Sequence, residues 1–269
     1  MNIDPLSRRL LTKSGKNGLI SLMYHSVQSG NATPEWSWAV SFKQFCAQLS
    51  LLQNEGWTTI CAHQLSSELI DKLPPKSVAI TFDDGYADNF LAFEELAKRK
   101  MLATWFIVSN DIGKQSSWVD VATPSYPLLS ISQLQEMQSA GMEIGSHTLS
   151  HPRLTLCSKE QIDSELLNSR ARLGELLKQP VNSFAYPYGL YNPQIRDAVA
   201  VSGYSTAFTT RPGFKLVDND SLQIRRTSIM ADDSLATFAR KLAFGDNEVS
   251  WPKVGRYTYE RILNRLHLK

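Results

Sequence analysis

The chain has 269 residues, of which 42% are hydrophobic and 20% are charged, so it has enough apolar residues for a large core and is not expected to be disordered. Its net charge of +2 at pH 7 is too small to predict nucleic acid or an anionic membrane as a partner. The longest strongly apolar stretches, such as residues 103–108, are far shorter than the ~20 residues of a membrane-spanning helix, so no integral membrane segment is expected.

Residues 1–19 contain an acid, a proline and two arginines before any apolar run, whereas a secretory signal has basic residues followed by about 7–15 apolar ones. The three cysteines, Cys46, Cys61 and Cys157, are widely spaced and fit neither a disulfide framework nor a CxxC metal site. We interpret them as buried free thiols in a reducing compartment. Both observations predict a cytoplasmic protein.

From residue 19 onward, short apolar runs alternate with amphipathic segments, two of which begin with capping-box patterns at Ser41 and Ser158. Strands are predicted at residues 19–24, 57–60, 77–82, 103–108, 142–146, 182–186, 205–209 and 223–229. Helices are predicted at residues 41–56, 89–100, 132–140, 158–177, 193–203 and 234–244. This alternation indicates parallel βα units. About seven or eight such units favour a closed or nearly closed barrel over an open doubly wound sheet.

Two adjacent aspartates, Asp83 and Asp84, directly follow the predicted strand at residues 77–82. Carboxylates at the end of a buried strand are costly unless something uses them, and the active sites of barrels lie at this end of the strands. Because neighbouring side chains on a strand point apart, the two acids can serve two different partners. The alternative is an ordinary turn at Asp84 and Gly85, with one acid capping it and the other in solvent.

Two histidines, His147 and His151, follow the predicted strand at residues 142–146. At spacing i and i+4, within at most a single helical turn, they share a face and can bind one cation. One carboxylate and two imidazoles form a three-ligand set with open coordination positions, which is typical of a catalytic metal site. Mixed nitrogen and oxygen ligands make Zn²⁺ the first choice, with other divalent metals open.

A third candidate is the turn after the predicted strand at residues 182–186, where Pro187 and Gly189 flank Tyr188. Proline fixes the backbone and glycine permits a turn that exposes main-chain N–H groups. Such a donor could meet a developing oxyanion. An ordinary turn is the alternative.

These three stretches make the sequence similar to the polysaccharide deacetylases, also called the NodB-homology or carbohydrate esterase family 4 proteins. The matching motifs are TFDDG at residues 81–85, SHTLSH at residues 146–151 and FAYPYG at residues 184–189. The resemblance implies a distorted (β/α)7 barrel with its core at residues 19–244. We expect one catalytic domain over residues 1–269, with residues 245–269 as a terminal helix or tail.

Position by position, the resemblance implies a general base, three metal ligands and a substrate-binding turn. Asp83 corresponds to the base, and the ligands are Asp84, His147 and His151. The backbone N–H of Tyr188 corresponds to an oxyanion donor, in a substrate-binding segment formed by Pro187, Tyr188 and Gly189.

Two departures from the family pattern affect the catalytic groups. Where many members have an arginine that orients the base, this chain has Ala185, and Arg226 at another strand end is the candidate replacement. Many members also carry a late histidine as general acid, but here the only histidine after His151 is His267, three residues from the terminus. His25, in an early YHxV segment, could reach the same barrel mouth because first and last strands are neighbours in a barrel.

The predicted function is a metal-dependent hydrolase that removes N- or O-acetyl groups from a carbohydrate or polysaccharide precursor. A glycoside hydrolase needs two carboxyl groups about 5–9.5 Å apart on either side of a bond, which adjacent aspartates do not provide. A non-haem metal oxygenase shares the two-histidine, one-carboxylate set. A non-catalytic carbohydrate-binding relative is the third alternative, motivated by the missing arginine and late histidine.

Overall fold

The computed structural model describes residues 3–14, 19–118, 125–214 and 220–256. The strands are β1 Leu19–Tyr24, β2 Ser26–Gln28, β3 Ala39–Ser41, β4 Thr58–Ile60, β5 Ser77–Phe82, β6 Thr104–Ile107, β7 Glu143–Ser146, β8 Ser183–Ala185, β9 Thr206–Phe208 and β10 Thr227–Ser228. The helices are α1 Pro5–Ser14, α2 Phe42–Asn54, α3 Asn89–Lys98, α4 Ile131–Ser139, α5 Lys159–Leu177, α6 Pro193–Val201 and α7 Leu235–Phe244.

The main sheet is parallel and curls into a ring in the order β10-β1-β5-β6-β7-β8-β9, with β4 added beside β5. Residues 224–228 close this ring between β9 and β1. Ile224 forms a bridge with Phe208 on one side, and Thr227 pairs with Leu22 on the other. These seven strands with their surrounding helices confirm the predicted distorted (β/α)7 barrel.

Two layers of apolar side chains pack against the ring. All six residues of β5 are buried, as expected of a parallel strand covered on both faces. The larger cluster lies between sheet and helices, and the smaller one contains Phe106, Phe208 and Ile224. The guanidinium of Arg226 lies 5.7 Å and 5.8 Å from the Phe106 and Phe208 ring centres. The positively charged guanidinium of Arg226 therefore packs against two aromatic rings of the smaller cluster.

The predicted caps are partly confirmed. Ser158 and Gln161 form the full capping box of α5. At α2, the Ser41 hydroxyl accepts from the Gln44 backbone N–H, but the Gln44 side chain donates to the backbone oxygen of Asp233 instead of reaching back. The capping box predicted there is therefore wrong in its second half, because a tertiary acceptor takes the glutamine.

Several features differ from the predictions or were missed. Helix α1 was not predicted, although Asp4 accepts from the Ser7 backbone N–H at its start.

Cys61 is buried, but Cys46 and Cys157 are partly exposed, so the interpretation of all three as buried thiols is wrong for two of them. Within the predicted tail, residues 251–256 are helical. Residues 257–269, including His267, lie outside the described residues, and across the described ranges no helix is long and apolar enough to span a membrane.

Candidate active site

The carboxyl ends of several ring strands meet around one cavity of about 280 Å³. Its lining consists of Met23, His25, Trp36, Trp38, Asp83, Asp84, Trp118, His147, His151, Tyr188 and Thr210. The structure therefore brings together six of the side chains selected from the sequence. Of the other three, Arg226 lies directly behind Asp83, whereas Pro187 and Gly189 shape the neighbouring turn without lining the cavity.

The turn after β5 separates the two aspartates. Asp84 and Gly85 both have left-handed backbones, with φ of 71° and 81°. A Cβ atom at Gly85 would lie 2.8 Å from Cδ1 of Ile107, so this position requires glycine. The turn directs Asp83 and Asp84 to different partners, as the sequence analysis predicted.

Asp83 forms a buried ion pair with Arg226. The two guanidinium terminal nitrogens donate to the two carboxylate oxygens at 2.6 Å and 2.7 Å, a bidentate geometry. Arg226 also donates to the Thr81 hydroxyl at 3.1 Å and to the Thr209 carbonyl at 3.0 Å. Its side chain is 0% exposed. A long side chain from the closing segment thus supplies a guanidinium to Asp83.

Asp84 faces both histidines. Its Oδ1 atom lies 3.4 Å from Nε2 of His147 and 3.3 Å from Nε2 of His151. Two donors bonded to one tetrahedral zinc at about 2.0–2.1 Å lie about 3.3–3.4 Å apart, so the spacing fits a shared ion. Oδ1 is buried and has no hydrogen-bond partner among the described residues. Such an oxygen is satisfied when a cation binds to it.

The two imidazoles are held in different ways. Nδ1 of His147 lies 2.8 Å from the Ala185 carbonyl, which assigns its proton to Nδ1 and leaves Nε2 as the metal-facing nitrogen. The His151 ring packs instead between Trp118 and Tyr188, with ring centres 4.9 Å and 4.6 Å away. Each imidazole is therefore positioned before any ion binds.

The segment between the histidines, for which the sequence allowed at most a single helical turn, contains no helical turn. Thr148 and His151 both have positive φ, 71° and 59°, so the segment is irregular. Glu165 holds this loop by accepting from the backbone N–H groups of Leu149 and Ser150 at 2.8 Å and 3.0 Å. The loop brings the two imidazole ring centres to 4.8 Å from each other.

The pKa values follow from burial opposed by neighbouring charges. Burial raises the pKa of Asp83, but Arg226 and the neighbouring histidines together lower it by a larger amount, so the net shift is downward. Burial also raises the pKa of Asp84, and the two histidines bring it well below its usual value. Burial lowers the pKa of His147, but the neighbouring Asp84 raises it by more, so the net shift is upward. At His151 the effect of burial is larger than that of Asp84 and lowers the pKa to about 3. Both acids are therefore ionised at pH 7, and His151 is neutral.

His25 lies at the bend between β1 and β2 and faces the cavity. Its ring centre is 4.7 Å from that of Trp38, and its backbone carbonyl accepts from the Asn89 amide at 2.8 Å. Its Nδ1 is buried and has no hydrogen-bond partner within the described ranges. Burial lowers the pKa of His25, and the charges of Asp84 and Asp83 oppose this shift.

Tyr188 occupies the turn after β8 with a left-handed backbone, φ 58°. Its ring lies between His151 and the Arg153 guanidinium, which is 4.1 Å from the ring centre. At Gly189 a Cβ atom would approach the Thr210 hydroxyl to 2.1 Å, so glycine allows the turn to pack against Thr210. This packing fixes the backbone of Tyr188 at the cavity wall.

Sequence reasoning missed two cavity-lining residues, Met23 and Thr210. Met23 lies in β1 and Thr210 follows β9, so their position at strand ends was an available signal. The loop aromatics Trp36, Trp38 and Trp118 were not predicted as site residues either. All three line the cavity.

Comparisons with known proteins identify the family. Residues 70–207 match the family model described as polysaccharide deacetylase. YxkH of Bacillus subtilis, whose name assigns it to the same family, is 33% identical over 220 residues, covering 81% of this chain and 73% of YxkH. The chain belongs to the polysaccharide deacetylase family. This confirms the resemblance seen in the three sequence motifs.

Two further relatives support the deacetylase assignment. The poly-beta-1,6-N-acetyl-D-glucosamine N-deacetylase of Staphylococcus epidermidis is 26% identical, over 88% of this chain and 87% of its own length. Among solved structures, IcaB from Ammonifex degensii has a TM-score of 0.70 at 26% identity, covering 85% of this chain and 97% of IcaB. The chain is therefore a carbohydrate deacetylase of a metal-dependent family, and Asp84, His147 and His151 are able to hold a metal ion.

The Streptococcus pyogenes deacetylase PplD, solved in complex with acetate, has a TM-score of 0.71 at 25% identity. The match covers 83% of this chain and 97% of PplD. Its agreement with the whole barrel confirms the fold.

Proposed function

We propose that this chain removes N-acetyl groups from a β-linked N-acetylglucosamine polymer or its precursor, with Zn²⁺ as the metal. The observation that carries the proposal is the placement of Asp84 Oδ1 3.4 Å and 3.3 Å from the His147 and His151 nitrogens, beside a second aspartate held by Arg226. The substrate class is supported by the name of the Staphylococcus epidermidis relative, which aligns over 88% of this chain.

Asp84, His147 and His151 would hold the ion. A divalent ion at such a site polarises a carbonyl and lowers the pKa of a bound water from 15.7 towards about 7. Asp83 then takes the proton of the attacking water. Both of its oxygens accept from Arg226, but a carboxylate has about four lone-pair sites, so acceptor capacity remains. Arg226 keeps Asp83 ionised and fixes its orientation.

The developing oxyanion is stabilised by the backbone N–H of Tyr188, whose turn is fixed against Thr210. One such donor contributes about 2.7–4 kcal/mol in comparable sites. Pro187 and Gly189 form the substrate-binding segment by setting the shape of this turn.

His25 delivers a proton to the departing amine from across the cavity. Burial lowers the pKa of His25, whereas the charges of Asp84 and Asp83 oppose this shift and favour the protonated form that donates. The predicted non-catalytic alternative was motivated by the missing arginine and the missing late histidine. Arg226 now supplies a guanidinium to Asp83, so the missing arginine no longer favours a binding protein.

The test is acetate release from oligomers of β-1,6-linked N-acetylglucosamine by the zinc-loaded chain. Asp83→Asn keeps the shape of the side chain but loses the base, so kcat should fall by about 10²–10⁴-fold. Asp197→Asn, at an exposed acid of α6, is the matched control and should retain full activity. Equal acetate release by wild type and Asp83→Asn would refute the proposal. Appearance of free amines distinguishes N- from O-deacetylation.

The cytoplasmic location and the single catalytic domain over residues 1–269 stay predictions. Cell fractionation tests the first and limited proteolysis tests the second.

A further inference from the structure

A second cluster of metal-ligand side chains lies at the opposite end of the barrel strands. It consists of Cys61, His63 and Glu143. Glu143 is the first residue of β7, whereas His147 directly follows the last, so about four residues of extended strand, roughly 13 Å, separate the two ends. Cys61 directly follows β4. The cluster is therefore distinct from the active site.

The donor atoms of this cluster are close enough for a common ion. One atom from each residue lies within 4.8 Å of the other two, and Nδ1 of His63 is 3.1 Å from Oε2 of Glu143. Donors around a tetrahedral zinc lie about 3.3–3.6 Å apart, given bonds of about 2.0–2.3 Å. Side-chain rotations that move the donor atoms by about one ångström are thus sufficient to bring all three to bonding distance from one ion.

The surroundings of Glu143 match those of a metal-binding carboxylate. It accepts from the Ser183 hydroxyl at 2.5 Å, the Thr104 hydroxyl at 3.2 Å and the His63 backbone N–H at 2.9 Å. Ligating carboxylates are characteristically held by such hydrogen bonds. The Cys61 sulfur makes long contacts of 3.8 Å and 3.9 Å to the backbone carbonyls of Gly141 and Ala103.

A cavity of about 470 Å³ borders all three residues, leaving room for water in a fourth coordination position. We propose that Cys61, His63 and Glu143 form a second binding site for a zinc-class divalent cation, which joins the segment after β4 to the start of β7. The ligand set of one thiolate, one imidazole and one carboxylate selects Zn²⁺ or Co²⁺ over Mg²⁺ and Ca²⁺.

The test is Co²⁺ titration of the full chain after removal of metal with a chelator. Only a cysteine ligand gives a sulfur-to-cobalt charge-transfer band, and the active-site set contains no sulfur. The band should saturate at one equivalent in Asp84→Asn and by two total equivalents in wild type, where the active site takes up the other equivalent. Cys61→Ser should lose it. Cys46→Ser, at another thiol, is the matched control and should keep it.

His63→Ala provides a second variant in case Cys61→Ser does not fold, because this side chain is 48% exposed. It should retain the thiol but weaken Co²⁺ binding at least tenfold. Absence of the band in folded wild type, or its persistence in Cys61→Ser, overturns the second site. Failure of the proposed deacetylase function would give different results. Asp84→Asn would bind as much metal outside the sulfur site as wild type does, or Asp83→Asn would release as much acetate as wild type.

Discussion

Replacing Arg226 by methionine removes the cation that faces the buried carboxylate of Asp83. The methionine keeps much of the side-chain volume but makes none of the four hydrogen bonds of the guanidinium to Asp83, Thr81 and Thr209. Both charged side chains are almost fully inaccessible, with exposures of 0% and 3%, so water on the cavity side replaces the lost partner only in part. Asp83 then remains as a buried, uncompensated charge.

Removing one partner of a buried ion pair costs about 3–5 kcal/mol, and we expect Arg226→Met to lower the free energy of unfolding by this amount. In the double variant Asp83→Asn/Arg226→Met the buried charge is absent. What remains is an amide with incomplete hydrogen bonding, at a cost of about 1–3 kcal/mol. The double variant should therefore be more stable than Arg226→Met alone.

The assay is urea unfolding at pH 7 of the chelator-treated full chain, so that metal binding does not add to the stability of the folded state. The total free energy of unfolding of a protein domain is about 5–15 kcal/mol, so a loss of this size could leave Arg226→Met partly unfolded without urea. The double variant then provides the comparison. A loss below about 1 kcal/mol for Arg226→Met, or a double variant no more stable than the single one, refutes the reasoning.

Three further predictions concern other parts of the barrel. His25→Ala should bind as much zinc as wild type while kcat for acetate release falls by about 10²–10⁴-fold; loss of zinc instead would make His25 a ligand. Partial burial raises the pKa of Asp220, but hydrogen bonds from Arg196 and other donors bring it below its usual value. The Asp220 carboxylate therefore stabilises the fold at pH values above the unfolded pKa of about 3.9. This stabilisation is lost as the pH falls through the lower pKa of the folded state. Asp220→Asn should therefore cost up to about 1 kcal/mol in urea unfolding at pH 7 and progressively less below about pH 4; an equal cost at both would contradict this. Gly189→Ala, at φ 67° and with its Cβ 2.1 Å from the Thr210 hydroxyl, should displace the Tyr188 turn and lower kcat/KM, with unchanged kinetics as the contrary result.

Local sequence signals predicted much of the fold because they are short-range. The Ser158 capping box and the uninterrupted apolar run of β5 each specify one element from a few neighbouring residues. The placement of Asp83 directly after β5 was also predictable, since all parallel strands of a barrel end at the same rim. The predicted position of Arg226 at a strand end is wrong, because Arg226 directly precedes β10. Their bidentate pairing depends on the closing segment and could not be read from either residue alone.

The rest depends on contacts between distant segments. Nothing in the residue types of Thr148 and His151 signals a left-handed backbone, which the loop adopts while held by Glu165. The second cluster was missed for a similar reason, because Glu143 lies 80 residues beyond His63 and becomes its neighbour only when β4 pairs with β5 and β7 joins the ring.

The short closing segment at residues 224–228 has a consequence for heat inactivation. It pairs with β1 at only two positions and with β9 through a single bridge, yet it carries Arg226. Local opening requires less free energy where a structure has few backbone pairings. Warming that detaches this segment would leave Asp83 misaligned while most of the ring is still intact. Catalytic failure would thus precede melting, and acetate release would report on the integrity of the ring closure.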